Sequence, residues 1–79
     1  MILLYLNKCQ CRYESEIALV KEHIHPLGET LIVRNTKYTQ QYKDEAESIG
    51  VNLPFIYNPV TKHGMALVGI DNTTIKGII

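Results

Sequence analysis

Ile2-Leu3-Leu4-Tyr5-Leu6 is an unbroken apolar run at the start of the chain. A short strand that is apolar at every position is buried on both faces. Such a strand needs a sheet around it and helices above and below that sheet. The whole chain has 79 residues. A chain of that length makes one domain, spanning 1–79, and buries only about 60% of its unfolded surface. One small core is expected, with little room for a deep pocket. A substrate would be another protein or a small flexible molecule held on the surface.

Beyond the run the period changes. Tyr13, Ile17, Val20, Ile24 and Leu27 recur at helical spacing, with Glu14 and Glu16 in the first turn. Pro26 ends this helix near His25, and Gly28 completes the turn. Leu31, Ile32 and Val33 read as a second short, buried strand. Asn35 or Thr36 then caps a second helix, with Tyr38, Tyr42, Ala46 and Ile49 as its apolar face. Gly50 fits the left-handed position past its end. Phe55 to Tyr57 reads as a third strand, with Pro54 at its entrance. Asn58-Pro59 opens a turn that His63-Gly64 closes, His63 being a turn residue, and Met65 to Val68 returns as a fourth strand. Asp71 caps a last helix, Asn72 to Ile79, with Ile75, Ile78 and Ile79 facing inward. The order is β-α-β-α-β-β-α. A strand-helix-strand unit gives a parallel pair, and the hairpin adds two antiparallel strands. The expected class is α/β, a four-stranded mixed sheet with helices on both faces.

Chemistry concentrates between the first strand and the first helix, in Asn7-Lys8-Cys9-Gln10-Cys11-Arg12-Tyr13. A helix start presents unpaired backbone N–H groups and about half a positive charge. A thiolate there is stabilised, so its pKa falls. Lys8 and Arg12 push the same way, while Glu14 and Glu16 push against it. Gln10 reads as a solvated spacer. Residues i and i+2 reach the roughly 4.4–6.8 Å between Cα atoms that a disulfide needs only if the chain kinks. The small ring implies strain, and strained disulfides are the more easily reduced.

Several classes are disfavoured. Eight basic residues balance eight acidic ones, and no basic stripe appears, which argues against nucleic-acid binding. Nothing approaches the roughly 18 apolar residues of a membrane span. No basic-then-apolar export segment follows Met1. A cytoplasmic monomer is therefore expected, and there a close cysteine pair is redox-active or metal-bound more often than structural.

These residues resemble a small glutaredoxin of the thioredoxin superfamily over nearly the whole chain. The resemblance rests on the first strand running into a cysteine motif, on Leu53-Pro54 opening the third strand, and on Val68-Gly69-Ile70-Asp71 before the last helix. The short form is similar to phage-encoded glutaredoxins and to the glutaredoxin-like hydrogen donors of ribonucleotide reductase. Two departures stand out. The family motif is Cys-x-x-Cys, and here the spacing is one residue shorter. The family also tends to have two glycines before the last helix, and here Val68 takes the first place, leaving Gly69. The first departure bears on redox potential, the second on glutathione binding.

The resemblance implies a thioredoxin-like fold and thiol–disulfide exchange. Cys9 matches the attacking, more exposed thiol and Cys11 the resolving one. Beside these, Lys8, Arg12 and Tyr13 border the cysteines as candidate substrate-groove residues, Tyr13 reading more readily as a first-turn core residue. Lys37 matches a group that binds a carboxylate of glutathione. Leu53-Pro54 would be cis, facing the dithiol, with the Leu53 backbone pairing to a bound peptide or glutathione. Gly69 and Asp71 fall where the other glutathione carboxylate is received, Asp71 as the helix cap. No bound cofactor is implied. Glutathione or a thioredoxin reductase would be the reductant, and a disulfide-containing protein, a glutathione mixed disulfide or ribonucleotide reductase the partner.

Three other readings stand beside it. Cys11-Arg12-Tyr13-Glu14 can be read as a monothiol arrangement with Cys11 the nucleophile. The chain can be an adaptor that binds a partner polypeptide without turnover. Cys9, Cys11, His23 and His25 are a possible zinc set, although a helix would hold His23 roughly 15–18 Å from the cysteines.

Overall fold

The computed structural model describes residues 1–79. The elements are β1 (Ile2–Leu6), α1 (Glu14–Ile24), β2 (Leu31–Asn35), α2 (Gln40–Ile49), β3 (Phe55–Asn58), β4 (His63–Ala66) and α3 (Asn72–Ile78). This is the expected order of strands and helices. The sheet order is β2-β1-β3-β4. β1 pairs parallel with β2, from Ile2 opposite Leu31 to Leu6 opposite Asn35. It pairs antiparallel with β3, Tyr5 lying opposite Phe55. β3 and β4 form an antiparallel hairpin. No helix is long and apolar enough to cross a membrane.

β1 is central, and all five of its residues are buried. Successive strand residues point to opposite faces. Ile2, Leu4 and Leu6 share one face with Ile56 and meet α1 and α3 through Ile17, Val20, Ile24, Ile75 and Ile78. Leu3 and Tyr5 share the other face with Phe55 and meet Ala46 of α2. Helices therefore cover both faces.

Local details differ from the sequence expectation, each for a traceable reason. α1 gives way to a tight 3-10 turn at His25–Leu27, so Leu27 leaves the apolar face and is exposed. β2 is longer than Leu31 to Val33 and only half-buried, because it is an edge strand. Asn35 and Thr36 do not cap α2, whose N-cap is Thr39. Their polar groups are engaged elsewhere: the Thr36 amide and hydroxyl both donate to the Leu6 carbonyl. Tyr38 consequently lies outside α2 and is exposed.

The hairpin tightens earlier than expected. The Lys62 amide donates to the Asn58 carbonyl at 2.8 Å, with Lys62 at φ 60°. Pairing therefore resumes at His63 opposite Asn58, which makes His63 a strand residue and leaves Val68 outside β4. Asn58 is the sole buried polar residue, and its side chain is satisfied on both sides. Its Nδ2 donates to the Ile78 carbonyl, and its Oδ1 accepts from the Val60 amide. Gly50 ends α2 in the left-handed region, as expected.

Candidate functional site

Topology brings four loops to one end of the sheet. β1 and β2 are parallel and leave the sheet at the same end. β3 runs against β1, so it enters there. β4 runs against β3 and leaves there. That end therefore carries Asn7–Cys11, Thr36–Lys37, Leu53–Pro54 and Val68–Gly69. Strand ends of this kind, where connections diverge, are where open α/β sheets place ligands.

Hydrogen bonds tie these loops together. The Asn35 side chain donates to the Lys8 carbonyl at 2.7 Å. The same side chain accepts from the Lys37 amide at 3.0 Å. The Tyr13 hydroxyl donates to Asn7 Oδ1 at 3.2 Å, and the Tyr13 ring is buried in the core. Tyr13 thus supports the cysteine loop from below, in keeping with its core reading. The Leu67 amide donates to the Pro54 carbonyl at 3.1 Å. The Leu53–Pro54 peptide bond is cis. Gly69 takes φ 82°, a left-handed conformation that disfavours a side chain.

The cysteines do not sit at the start of the α-helix itself. Cys9 caps a 3-10 turn, Gln10–Tyr13, and α1 follows at Glu14. The Arg12 amide donates to the Cys9 carbonyl at 3.0 Å, which closes this turn. Cys9 is half-buried and Cys11 is exposed, the reverse of the exposure expected for an attacking Cys9, and both thiols are free.

Their electrostatics are unequal. Cys9 is held below the ordinary cysteine value, first by hydrogen bonding from the Cys11 thiol, then by the Cys11 backbone N–H. Partial burial opposes this, and the charges of Lys37 and Arg12 assist. Cys11 is pushed above its ordinary value, chiefly because its proton is shared with Cys9. Desolvation and the charge on Cys9 add to that, and Glu14 adds a smaller push. Glu14 thus acts on Cys11 rather than on Cys9. Lys8 enters mainly through its backbone carbonyl.

The other site residues are placed as follows. Lys37 lies in the turn before α2 rather than in its first helical turn, with its ammonium 5.5 Å from the Tyr38 ring centre. Asp71 caps α3: its carboxylate accepts from the Thr74 amide at 2.9 Å, and the Thr74 hydroxyl accepts from the Asp71 amide at 2.8 Å. Donation from the Thr74 backbone holds the Asp71 carboxyl below its usual range. Leu53 lines a cleft of about 330 Å³ with Ala46, Val51 and Lys43 on the α2 side. Neither cysteine lines a cleft, so the dithiol stands on open surface.

The four residues of the zinc alternative are not assembled. His23 lies in the last turn of α1 and contacts Asn72 Oδ1 at 2.7 Å. His25 lies in the turn beyond. No three His, Cys, Asp or Glu side chains come together as a metal-holding group.

Asn35 is the site residue that sequence reasoning misplaced. An Asn at the end of an apolar run signals a cap or a turn alike. Here it makes a turn onto the Lys37 amide and reaches across to the neighbouring loop. No family model, curated protein or solved structure matches this chain.

Proposed function

We propose that this chain is a glutaredoxin-like thiol–disulfide oxidoreductase on a thioredoxin-like fold. The observation that carries the reading is the placement of two free thiols in one turn at the end of the sheet where four loops meet, Cys9 half-buried and Cys11 exposed, with Cys9 pushed down and Cys11 pushed up. Neighbouring titratable groups pushed apart in this way suit two different roles in one reaction. Cys9, the lowered one, is the nucleophile. Cys11, which keeps its proton longer, is the resolving thiol.

The Cys9 thiolate attacks one sulfur of a substrate disulfide. A bond from Cys9 to that sulfur forms as the substrate S–S bond breaks, and the leaving thiolate takes a proton from water. Cys11 then gives up its proton, attacks the Cys9 sulfur and expels the second substrate thiol. Two electrons have passed to the substrate, and the protein holds a Cys9–Cys11 disulfide. Two glutathione molecules, or a thioredoxin reductase, restore the dithiol. The short spacing favours the reduced form, because a strained disulfide is a better oxidant.

An open site suits a disulfide presented by another protein, a glutathione mixed disulfide, or ribonucleotide reductase as electron acceptor. A cytoplasmic setting supplies the reductant. Lys37, Leu53, Pro54 and Gly69 border the same end of the sheet and would receive the polypeptide or glutathione.

Cys9→Ser should abolish turnover of a glutathionylated peptide with a regenerating system. Cys11→Ser should trap a mixed disulfide on Cys9, visible by mass, since the first step survives. Alkylation of Cys9 in the reduced protein should reach half its maximal rate below the pH of about 8.5 typical of a free cysteine. An adaptor would show no turnover in the unmodified chain. Activity that survives Cys9→Ser and is lost in Cys11→Ser would give the nucleophile's role to Cys11.

A further inference from the structure

We propose that Asn35 is a positioning residue, which locks the turn carrying Lys37 to the loop carrying Cys9 and so keeps the Lys37 charge within range of the Cys9 thiol. The inference rests on the reading of Cys9 as the nucleophile.

Lys37 and Cys9 belong to different connections, one leaving β2 and the other leaving β1. Both connections stand on the same end of the sheet, yet sheet pairing ends at Leu6 and Asn35. Beyond that register something else must hold them. Thr36 reaches only the Leu6 carbonyl, at the strand end. Asn35 reaches two residues further, to the carbonyl of Lys8, immediately before Cys9. With its other atom it fixes the amide of Lys37 itself. One planar amide thus grips both loops, donating to one and accepting from the other. A carboxylate of the same shape has no donor, and a shorter side chain cannot reach both partners.

The lysine needs this help. Lys37 is exposed on a flexible stem, and no carboxylate pairs with it. Its effect on Cys9 is that of a charge at a distance, which falls away if the turn drifts. A fixed backbone amide confines the start of the stem, while the ring of Tyr38 lies 5.5 Å from its end.

The test is a double-mutant cycle on the pH profile of Cys9 alkylation, in a Cys11→Ser background. Serine leaves one thiol to react and keeps a hydroxyl to donate. Lys37→Met should slow alkylation at neutral pH about two- to five-fold, the size of one exposed charge pair, and move the profile upward. Asn35→Ala should move it the same way. The pair should move it no further than Lys37→Met alone, because Asn35 acts through Lys37. In about 1 M salt all four profiles should converge, which loss of structure alone would not produce. If Asn35→Ala fails to fold, Asn35→Ser takes its place in the cycle, since its hydroxyl cannot span both partners. The inference is overturned if either single change leaves the profile in place, or if the two shifts add. An ordinary profile for Cys9 before any change at Asn35 or Lys37 would instead bring down the underlying reading.

Discussion

One face of the sheet gathers eleven buried apolar residues beneath α1 and α3, whereas the other gathers four beneath α2. The larger face is held mainly by apolar area, a force that needs no direction, with the Asn58 side chain bonded to the Ile78 carbonyl of α3 as its buried polar contact. The smaller face adds a polar clamp. Arg34 Nη1 donates to Glu45 Oε1 at 2.8 Å and to the Tyr5 hydroxyl at 3.0 Å. That hydroxyl in turn donates to Glu45 Oε1 at 3.0 Å. The Arg34 guanidinium also lies over the rings of Tyr5 and Tyr42, at 5.9 Å and 5.6 Å. Where apolar area is scarce, directional contacts on β1, β2 and α2 hold the helix down. The candidate site straddles this difference. Its cysteines lead into α1 on the well-packed side, while Lys37 leads into α2 on the other.

The comparison breaks first if the two faces respond equally to truncation. Leu4 is fully buried on the large face. Leu4→Ala should cost about 2–5 kcal/mol, the sum of lost transfer energy and a cavity. Ile49 packs half-buried on the small face, so Ile49→Ala should cost about 1–2 kcal/mol, in proportion to the smaller apolar area removed from water. Urea unfolding of the two variants measures the difference. Equal losses would mean that α2 is seated as firmly as α1.

The clamp itself comes next. Arg34→Met keeps much of the stem but leaves Glu45 with Tyr5 as its hydrogen-bond partner. The Arg34 and Glu45 side chains are 27% and 31% exposed, so water screens part of the pair. A loss of about 1–2 kcal/mol is expected. Amide exchange locates it: α2 amides should exchange faster, while those of α1 keep their protection. A uniform loss of protection would show that the clamp serves the whole sheet rather than one helix.

The same asymmetry explains what the sequence disclosed. Tyr13, Ile17, Val20 and Ile24 lie on the large face, and their spacing alone marks them as core. The strands β1 and β3 and the caps Asp71 and Gly50 were legible because each obeys a local rule. The small face and the loops were harder. Tyr38 fits the apolar stripe of α2 by spacing, but the turn made by Asn35 and Thr36 delays the helix until Gln40. Nothing local shows that Asn35 reaches Lys8, because that partner comes from 27 residues away. The cysteine spacing is visible in the sequence, whereas the influence of the Lys37 charge on Cys9 depends on two loops meeting. Val68 fits the strand pattern by its apolar side chain, whereas the early closure around Asn58 and Lys62 sets the hairpin register so that β4 ends at Ala66.

The smallest effect is the most diagnostic of how the clamp works. Tyr5→Phe removes one hydroxyl and keeps the ring, which stacks on Phe55 with centres 4.9 Å apart. Arg34 and Glu45 still bond each other, so no charge is stranded. A loss of about 0.5–1.5 kcal/mol at neutral pH is expected. Its pH dependence has a definite sign. Burial is the chief cause that raises the Tyr5 pKa above 10.0; Arg34 opposes this and Glu45 reinforces it. The folded protein therefore holds this proton more tightly than the unfolded chain does. Stability from the hydroxyl is full below the unfolded value of about 10 and declines as pH rises through the folded value. Urea unfolding at neutral pH and above pH 10 should show the gap between the parent protein and Tyr5→Phe narrowing on the alkaline side. A gap that stays constant would mean that Arg34 cancels the effect of burial at this hydroxyl, and a gap that widens would mean that Arg34 outweighs it.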